Sequence, residues 1–420
     1  MGKGINFRIL FTIFVASGHL FANAQKVNLN QDGSAWLKFG GNLQIWGRYT
    51  EFNSGTMLRN NSVAGAPDLV IRRLRIQALG MVTPKVFMHI QLGQNNVDFK
   101  NGSPNIAPLA LFDCLSEYHF SDNLHIGGGL TGWGAGVNRY SAQSSSSQLT
   151  LDAPIYQQYN PSGIYGNRGI SAYAKGTVKS INYVVAVTNP YVYTNSITAS
   201  TNANPKGNNL QYLSRVEYQF WEKESIAEPF TKATYLGKKD VFNVALGYMH
   251  QKDAMARLNG TDTSLSNMEI LGADVFMEKK LNENGRAITI YTAYTNMNFG
   301  TNYLRTIATP NPATQGAGNG FFGIGTGSVL YAQIGYLFDK SDKNDHRIQP
   351  YISVEMGDFE ALKTPMNMYD AGVNFYLQDK LGPKFTLGYQ NRPVYTSNAS
   401  GLMEQTERKG MYTLQFQVNI

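Results

Sequence analysis

Two histidines and a glutamate fall close together in the stretch EYHFSDNLH, residues 117–125. If this stretch is a tight hairpin with its turn centred on Asp122, His119 lies opposite His125, and Glu117 lies on the same face two residues earlier. Facing side chains on paired strands have Cβ atoms roughly 4.5 to 5.5 Å apart. Two imidazoles at that spacing can share a transition metal or titrate near pH 6. The simpler interpretation, which we favour from the sequence, is two polar side chains on a water-facing wall.

Charged side chains also recur on one face of several alternating stretches. In RRLRI, residues 72–76, two of the arginines point the same way, because side chains two residues apart lie on one face of a strand. The same assignment places these charged residues on one shared face: Lys38, Arg48, Arg73, Arg75, Lys175, Arg215, Arg392, Glu117, Glu217, Asp274 and Glu355. If that face lines a pore, its charges set the ion preference, and seven cations against four acids predict a mild preference for anions. The other interpretation is that the cations pair with the acids and only stiffen the wall.

Motifs of known catalytic and nucleotide sites are missing from the sequence. No G-x-S-x-G, H-E-x-x-H or GK[ST] pattern occurs. The glycine-rich stretches GWGAG, residues 132–136, and GIGTG, residues 323–327, lack both the G-x-G-x-x-G spacing and a following helix. We therefore predict no catalytic, cofactor-binding or metal site, and a protein that is not an enzyme.

The residues named above belong to a chain whose dominant pattern is strand-like alternation. Glycine (42), tyrosine (25) and phenylalanine (22) are frequent, and helix-periodic stretches are hard to find. In the first run, Leu43 and Ile45 alternate with Asn42 and Gln44, as in a strand with one apolar and one polar face. Sixteen such runs occur, near residues 35–49, 69–82, 85–95, 114–120, 124–131, 167–178, 180–189, 210–220, 240–250, 267–278, 286–297, 328–339, 347–357, 366–377, 384–392 and 410–420.

The connections between these runs alternate in length along the chain. Short polar turns, with one longer exception near residues 221–239, alternate with long segments rich in Asn, Ser, Thr, Gly and Pro, of which only 358–365 is brief. Transmembrane barrels have short turns at one rim and long loops at the other. The sequence therefore predicts an all-β fold: a transmembrane antiparallel β-barrel of sixteen strands with short periplasmic turns and long extracellular loops. Its apolar face meets lipid, and its polar face lines the lumen.

Two further features fit such a barrel. The last ten residues, MYTLQFQVNI, alternate strictly and match the terminal strand that the outer-membrane barrel assembly machinery recognises, although the chain ends on Ile420 rather than on an aromatic residue. Aromatic residues near strand ends fit the girdles at the two membrane interfaces. These residues are Trp36, Tyr118, Phe120, Tyr218, Phe220, Tyr336 and Phe338.

The start of the chain has the pattern of a secretory signal peptide. Lys3 and Arg8 precede an apolar run at residues 9–16, and small residues follow up to Ala24. We expect residues 1–24 to be removed, which leaves 25–420 as the outer-membrane barrel.

Charge and cysteine content exclude other classes of protein. The net charge of +7 falls to +5 without Lys3 and Arg8, and no block of like charge occurs, so no nucleic-acid partner is expected. The single cysteine, Cys114, rules out an intramolecular disulfide.

Several stretches resemble the phosphate-selective porin O and P family in the form found in Bacteroidota. The similar stretches are VIRRLRIQALGMVTPKVFMHIQ (70–91), EYHFSDNLHIGGGLTGWG (117–134), NRGISAYAKGTV (167–178) and TYLGKKDVFNVALGYMHQKDAM (234–255). The resemblance implies a sixteen-stranded general or anion-favouring porin in the outer membrane of a Gram-negative bacterium. It also implies a homotrimer and a loop that folds inward to narrow the pore.

In this family, phosphate selectivity depends on an arginine ladder and a lysine cluster at the constriction. Arg73 and Arg75 match the ladder, whereas the third long loop, 132–166, holds Arg139, has Arg168 just beyond it, and contains no lysine. This departure argues against phosphate specificity. The resemblance thus implies a passive diffusion channel for small polar solutes and ions, with small anionic or polar solutes and outer-membrane lipid as partners. The alternative is a non-conducting outer-membrane barrel that acts as a secretion or assembly component or as an adhesin.

Overall fold

The computed structural model describes residues 26–98, 108–134, 136–142, 145–152, 168–192, 196–308, 310–340, 345–397 and 401–419. The predicted signal peptide, residues 1–24, lies outside the described residues. Across the described ranges, no helix has the length and apolar character needed to cross a membrane.

Sixteen strands form one continuous sheet. They are β1 Trp36–Glu51, β2 Gly65–Thr83, β3 Val86–Val97, β4 Ala110–Ser121, β5 Leu124–Thr131, β6 Gly169–Val178, β7 Ile181–Asn189, β8 Gln211–Gln219, β9 Val241–Asn259, β10 Asp262–Lys280, β11 Ala287–Asn298, β12 Gly327–Leu337, β13 Arg347–Phe359, β14 Met366–Tyr376, β15 Lys384–Ser397 and β16 Met403–Asn419. Each predicted run corresponds to one of them. The observed strands differ most from the predicted runs at the ends joined by long connections, where β9 and β10 continue to a hairpin at residues 260–261. Strand segments that extend beyond the membrane contact water on both faces, so they lack the apolar alternation from which strands are predicted.

Strand pairing closes the sheet into a barrel. Each strand pairs antiparallel with the next along the chain, and β16 returns to β1, where Val418 lies opposite Leu43 and Phe416 opposite Ile45. A closed sheet has no unpaired edge, so its backbone N–H and C=O groups are satisfied without water. The sixteen-stranded antiparallel barrel predicted from the sequence is confirmed.

Connections of different length emerge at the two ends of the barrel. At what we term the turn end, strands are joined by short segments such as 84–85, 122–123 and 179–180, with 220–240 as the longest. The long connections emerge at the loop end. Short extra elements accompany the barrel: strands Lys26–Asn28, Met57–Leu58, Asn61–Ser62, Asn202–Ala203, Leu304–Ile307 and Phe321–Gly325, and 3-10 helices Arg139–Ala142 and Ser145–Ser147.

The two faces of the wall invert the burial pattern of a water-soluble protein. Leu246, Ile352 and Leu387 point outward and are 62%, 59% and 56% exposed, whereas Gln349 and Gln417 point inward and are fully buried. Apolar side chains on the outside of a closed barrel are solvated by lipid acyl chains, and polar ones inside contact water or each other. The alternation therefore assigns the outer surface to lipid.

Aromatic pairs mark the outer surface near the turn end. Tyr118 and Phe120 have ring centroids 4.7 Å apart, and Tyr218 and Phe220 have centroids 4.6 Å apart, in edge-to-face arrangements. This fits the predicted girdle. Trp36 does not belong to it, because its ring packs with inward residues such as Leu79. Its position in the alternation, on the same face as Asn42, determines this direction.

The lipid-facing assignment predicts a depth-dependent effect of an added charge. Leu246 lies six residues into β9 from the turn end, close to the middle of a span of about 9 to 11 residues. Leu246→Arg should lower the free energy of unfolding in lipid vesicles by about 2–4 kcal/mol. The matched control is Leu265→Arg, since Leu265 is similarly exposed but lies near the loop end of β10. Equal losses in urea unfolding for the two variants would contradict the assignment.

Candidate functional site

One long loop folds into the barrel. We call residues 132–152 the inward loop; all but 135, 143 and 144 are described. Val137 of this loop lies against the wall at Gly247, where a Cβ atom would come within 2.2 Å of the Val137 carbonyl oxygen. Only glycine lets the loop backbone approach the wall this closely. The contact confirms the inward fold expected for this loop.

Aromatic and polar contacts hold the inward loop along the wall beyond β9. The ring of Tyr140 stacks on that of Tyr291 in β11, with centroids 4.0 Å apart. Further along, wall side chains donate hydrogen bonds to the loop carbonyl groups. Lys384 donates to Gln148 O (2.6 Å), Asn374 to Leu149 O (2.7 Å), Gln417 to Ser146 O (2.8 Å) and Gln44 to Ser145 O (3.0 Å). Inward polar residues of the strands thus bind the loop backbone, which satisfies groups that would otherwise be buried without partners.

The inward loop reaches the arginines of β2 through Asp152. Arg73 Nη2 lies 2.5 Å from Asp152 Oδ1, and Arg72 Nε lies 2.7 Å from Oδ2, with all three side chains buried. A β-bulge opposite Gln44 and Ile45 turns both arginines inward, whereas strict alternation predicts only Arg73. Burial raises the pKa of the Asp152 carboxyl, but the two guanidinium groups outweigh this and hold the pKa below its ordinary value.

A second segment enters the lumen from the turn end. We call residues 220–240 the inward turn, which corresponds to the long exception among the predicted turns. Glu224 of the inward turn accepts hydrogen bonds from Arg139 of the inward loop at 2.6 and 2.7 Å, and Arg139 also donates to the Lys232 carbonyl at 2.6 Å. Burial raises the pKa of Glu224, yet Arg139 and the hydroxyl group of Tyr235 lower it below the ordinary value. The two inward segments are therefore joined by a bidentate ion pair.

Most predicted pore-lining cations have a carboxylate partner in the folded chain. Arg48 makes a bidentate pair with Asp68, with both contacts at 2.6 Å. Arg215 lies 2.7 Å from Asp274 and 3.4 Å from Glu217. Arg73 pairs with Asp152 and Lys175 with Glu117. Two of these acids, Asp68 and Asp152, were not assigned by alternation alone. Pairing cancels much of the field that a cation projects into the lumen.

Three predicted cations have different surroundings. Arg75 hydrogen-bonds Asn95 at 2.7 Å and lies over the ring of Phe112, with its guanidinium carbon 3.9 Å from the centroid. Lys38 is exposed at the turn end. Arg392 is buried in β15 and donates to the Glu51 carbonyl group, while its Nε and Nη1 have no hydrogen-bond partner among the described residues.

Besides Arg72 and Arg347, the sequence reasoning missed the inward cation Lys384. It is buried at the turn end of β15, donates to Gln148 O, and forms no ion pair within the described ranges. Alternation in the sequence could have identified it, because apolar Phe385 and Leu387 point outward and the residues between and before them, including Lys384, point inward. Counted over the described residues, the buried charged side chains are ten Lys or Arg and eight Asp or Glu, a smaller excess of cations than the sequence predicted.

The histidine pair lies at the turn end of the lumen, as predicted. His119 of β4 lies opposite His125 of β5, although Ser121 rather than Phe120 pairs with Leu124. The imidazole rings stack with centroids 3.7 Å apart. Glu117 lies beside them, with one carboxylate oxygen 3.2 Å from His119 Nε2. All the predicted pore-lining residues lie on strands. Some of their partners are strand residues, such as Asp68 and Asp274, and others come from the inward segments, such as Asp152 and the Ile226 carbonyl group.

A cavity of about 320 Å³ separates the inward turn from the wall at β7 and β8. Its charged lining includes Arg215 and Lys239 on the positive side and Glu217 and Glu228 on the negative side. Both signs of charge thus face the same cavity near the turn end.

No protein-family model and no curated protein match the chain. Solved structures match it over nearly its whole length. Pseudomonas putida OprB, in a structure at high pH, is 8% identical with a TM-score of 0.54, over 91% of this chain and 94% of that chain. The outer membrane channel DcaP of Acinetobacter baumannii is 11% identical with a TM-score of 0.49, over 93% and 99%. An anion-selective porin from Comamonas acidovorans is 8% identical with a TM-score of 0.48, over 92% and 100%. At 8% identity, the similarity between this chain and OprB is a similarity of fold.

We predict that the inward loop detaches from β2 when the ion pairs of Asp152 are removed. Asp152→Asn removes the carboxylate shared by Arg72 and Arg73, and losing one partner of a buried pair costs about 3–5 kcal/mol. We expect faster amide hydrogen exchange in residues 145–152 while the barrel strands keep their protection. The control is Asp345→Asn, which breaks an exposed pair with Lys340 worth at most about 1 kcal/mol.

The lowered pKa of Asp152 also gives the loop a pH dependence. A carboxylate with a depressed pKa stabilises the folded state fully above its ordinary pKa of about 3.9, and this contribution is lost as pH falls through the lowered value. Loop exchange in the unmodified protein should therefore increase only below about pH 4. An increase already between about pH 7 and about pH 5 would argue against the ion pair as the anchor.

Proposed function

We propose that this protein is a passive diffusion channel of the outer membrane for small polar solutes and ions, with a mild preference for anions. The observation that supports it most is the inward loop, which is bound to the inner wall from β9 to β2 by buried hydrogen bonds and ion pairs. A loop held in place along the polar wall narrows the lumen without blocking it. Such a channel needs no cofactor and no chemical step.

The proposed setting follows from the barrel and from the sequence. The turn end faces the periplasm and the loop end faces the exterior of a Gram-negative bacterium, as in other barrels with unequal connections. Membership of the phosphate-selective porin O and P family of Bacteroidota, a cleaved signal peptide, assembly as a homotrimer and recognition of β16 by the assembly machinery are parts of the same proposal. Phosphate specificity is not part of it, because Arg139 and Arg168 each pair with a carboxylate.

The anion preference rests on two cations of β15. Lys384 and Arg392 lie on the inward face of one strand, near its turn end and nearer its loop end, respectively. Neither forms an ion pair with a described carboxylate, so each keeps more of its field than the paired arginines. Because both side chains are buried, they act on a passing anion through their field, at two depths along this wall.

A second candidate function is a sealed barrel that acts as a secretion or assembly component or as an adhesin. The observation that favours it is the ion pair between Arg139 and Glu224, which joins the inward loop to the inward turn inside the lumen. Two segments that enter from opposite ends and meet inside the lumen obstruct more of it than one loop does.

Conductance in a planar lipid bilayer tests both candidates. We expect ohmic conductance and, under a KCl gradient, a reversal potential that favours chloride. Lys384→Gln and Arg392→Gln should each reduce the chloride-to-potassium permeability ratio by about twofold, since one charge about 10 Å from an ion in water contributes about 0.4 kcal/mol. The control is Lys363→Gln, an exposed lysine that pairs with Glu404 at the loop end. A sealed barrel would favour the second candidate, and a reversal potential that favours potassium would refute only the anion preference.

The ion pair between Arg139 and Glu224 leads to a separate prediction. Glu224→Gln removes the carboxylate of a buried pair, at a local cost of about 3–5 kcal/mol, and should release the inward turn from the lumen. We expect a larger and noisier single-channel conductance. Glu222→Gln serves as the control, because Glu222 lies on the same segment, is exposed, and accepts one hydrogen bond from the Asp240 backbone. Unchanged conductance in Glu224→Gln would mean that the inward turn does not limit the channel.

A further inference from the structure

A cluster of three potential metal ligands lies at the turn end of the lumen, outside the contacts that hold the inward loop. His119 and His125 occupy opposite positions of the β4–β5 hairpin, and their rings are parallel within 5°. Glu117 projects from the same face of β4. The ligand atoms of the three side chains all lie within 4.8 Å of one another.

One ring nitrogen of this cluster lacks a partner. His125 Nδ1 is shielded from solvent and makes no hydrogen bond to any described group. A shielded polar atom without a partner costs roughly 1–3 kcal/mol, so native structures rarely keep one without a water or an ion. His119 has a side chain 24% exposed, so the cluster opens toward the lumen and an ion has a path to it.

The carboxylate of Glu117 is held in place by its neighbours. Tyr173 donates its hydroxyl proton to Oε1 at 2.8 Å, and Lys175 Nζ lies 2.7 Å from the same oxygen. The other oxygen, Oε2, faces His119. Gly127 makes room for this arrangement, since a Cβ atom there would lie 2.7 Å from both Glu117 Cγ and the Tyr173 hydroxyl group. Groups that orient a ligand from behind in this way are typical of metal sites.

We propose that Glu117, His119 and His125 bind a divalent transition metal ion of the zinc, copper or nickel type. Two imidazoles and one carboxylate suit these ions, whereas calcium and magnesium prefer oxygen ligands alone. Ligand atoms bonded at 2.0–2.1 Å to a tetrahedral ion lie about 3.4 Å apart. Binding therefore requires the two stacked rings to turn until their in-plane lone pairs point at the same ion. The fourth position faces the lumen and is filled by water or by a passing solute.

The site extends the proposed function without depending on it. Lys175 pairs with the Glu117 carboxylate and also donates a hydrogen bond to the Ile226 carbonyl group of the inward turn at 2.7 Å. An ion at Glu117 would therefore add positive charge beside the inward turn, at the turn end of the channel. The stacked pair, interpreted from the sequence as simple polar lining, places two ring nitrogens and a carboxylate oxygen within 4.8 Å of one another.

Metal binding to the purified full-length protein in detergent tests the proposal. Isothermal titration with ZnCl₂ should give one ion per chain, and Co²⁺ should give the visible absorption of a four- or five-coordinate site with imidazole ligands. The double variant His119→Gln, His125→Gln should lose both signals. Tyr173→Phe, which keeps all three ligands, should weaken binding by about tenfold or more through the misplaced carboxylate.

The matched control is the double variant His250→Gln, His346→Gln, which removes two other histidines and should bind one ion as the unmodified protein does. Folding of every variant is checked by the shift in gel mobility between heated and unheated barrel. Absence of zinc binding in the unmodified protein, or equal binding in the two double variants, would overturn the proposal. Conductance without added metal is expected in all of them, so a failed metal site would leave the channel function untouched.

Discussion

Every other feature of this molecule depends on the closure of its backbone hydrogen bonds. In a lipid environment an unpaired N–H or C=O group has no water to bond, and the pairing of β16 with β1 removes the edge that an open sheet would leave. Closure creates an inside and an outside, and the period of two along each strand assigns alternate residues to them. The exposed Leu246 and the buried Gln349 are consequences of that one geometric condition.

The inside of the barrel is organised as a polar core. The inward loop and the inward turn are bound by side chains of the wall, and most inward charges contact an opposite charge, as Arg48 does with Asp68 and Arg139 with Glu224. Buried ion pairs stabilise little on balance because both ions lose hydration, but an unpaired member is costly. Such pairs therefore select one position of the loop more than they strengthen the fold.

This use of charge limits what the lumen can recognise. An arginine that holds Asp152 or Glu224 is not available to bind an anion, so a row of arginines in the sequence overstates the positive field in the lumen. The cations that have no carboxylate partner among the described residues, such as Lys384 and Arg392 on β15, are few and are themselves buried. A broad pore for small polar solutes fits that distribution better than a phosphate-specific one, because phosphate recognition requires several converging donors.

The sequence alone determined the number of strands, their order, their faces and the position of the His119–His125 pair, because alternation and turn length are local properties that each hairpin expresses by itself. It could not assign Arg72 to the lumen, since the β-bulge that turns it depends on the pairing with β1. Nor could it identify Asp152 and Glu224 as partners of arginines that lie about eighty residues away along the chain. These contacts cross the lumen, where no sequence period applies. Only the tertiary structure, which brings the inward loop and the inward turn to the wall, decided which inward charges form ion pairs with each other.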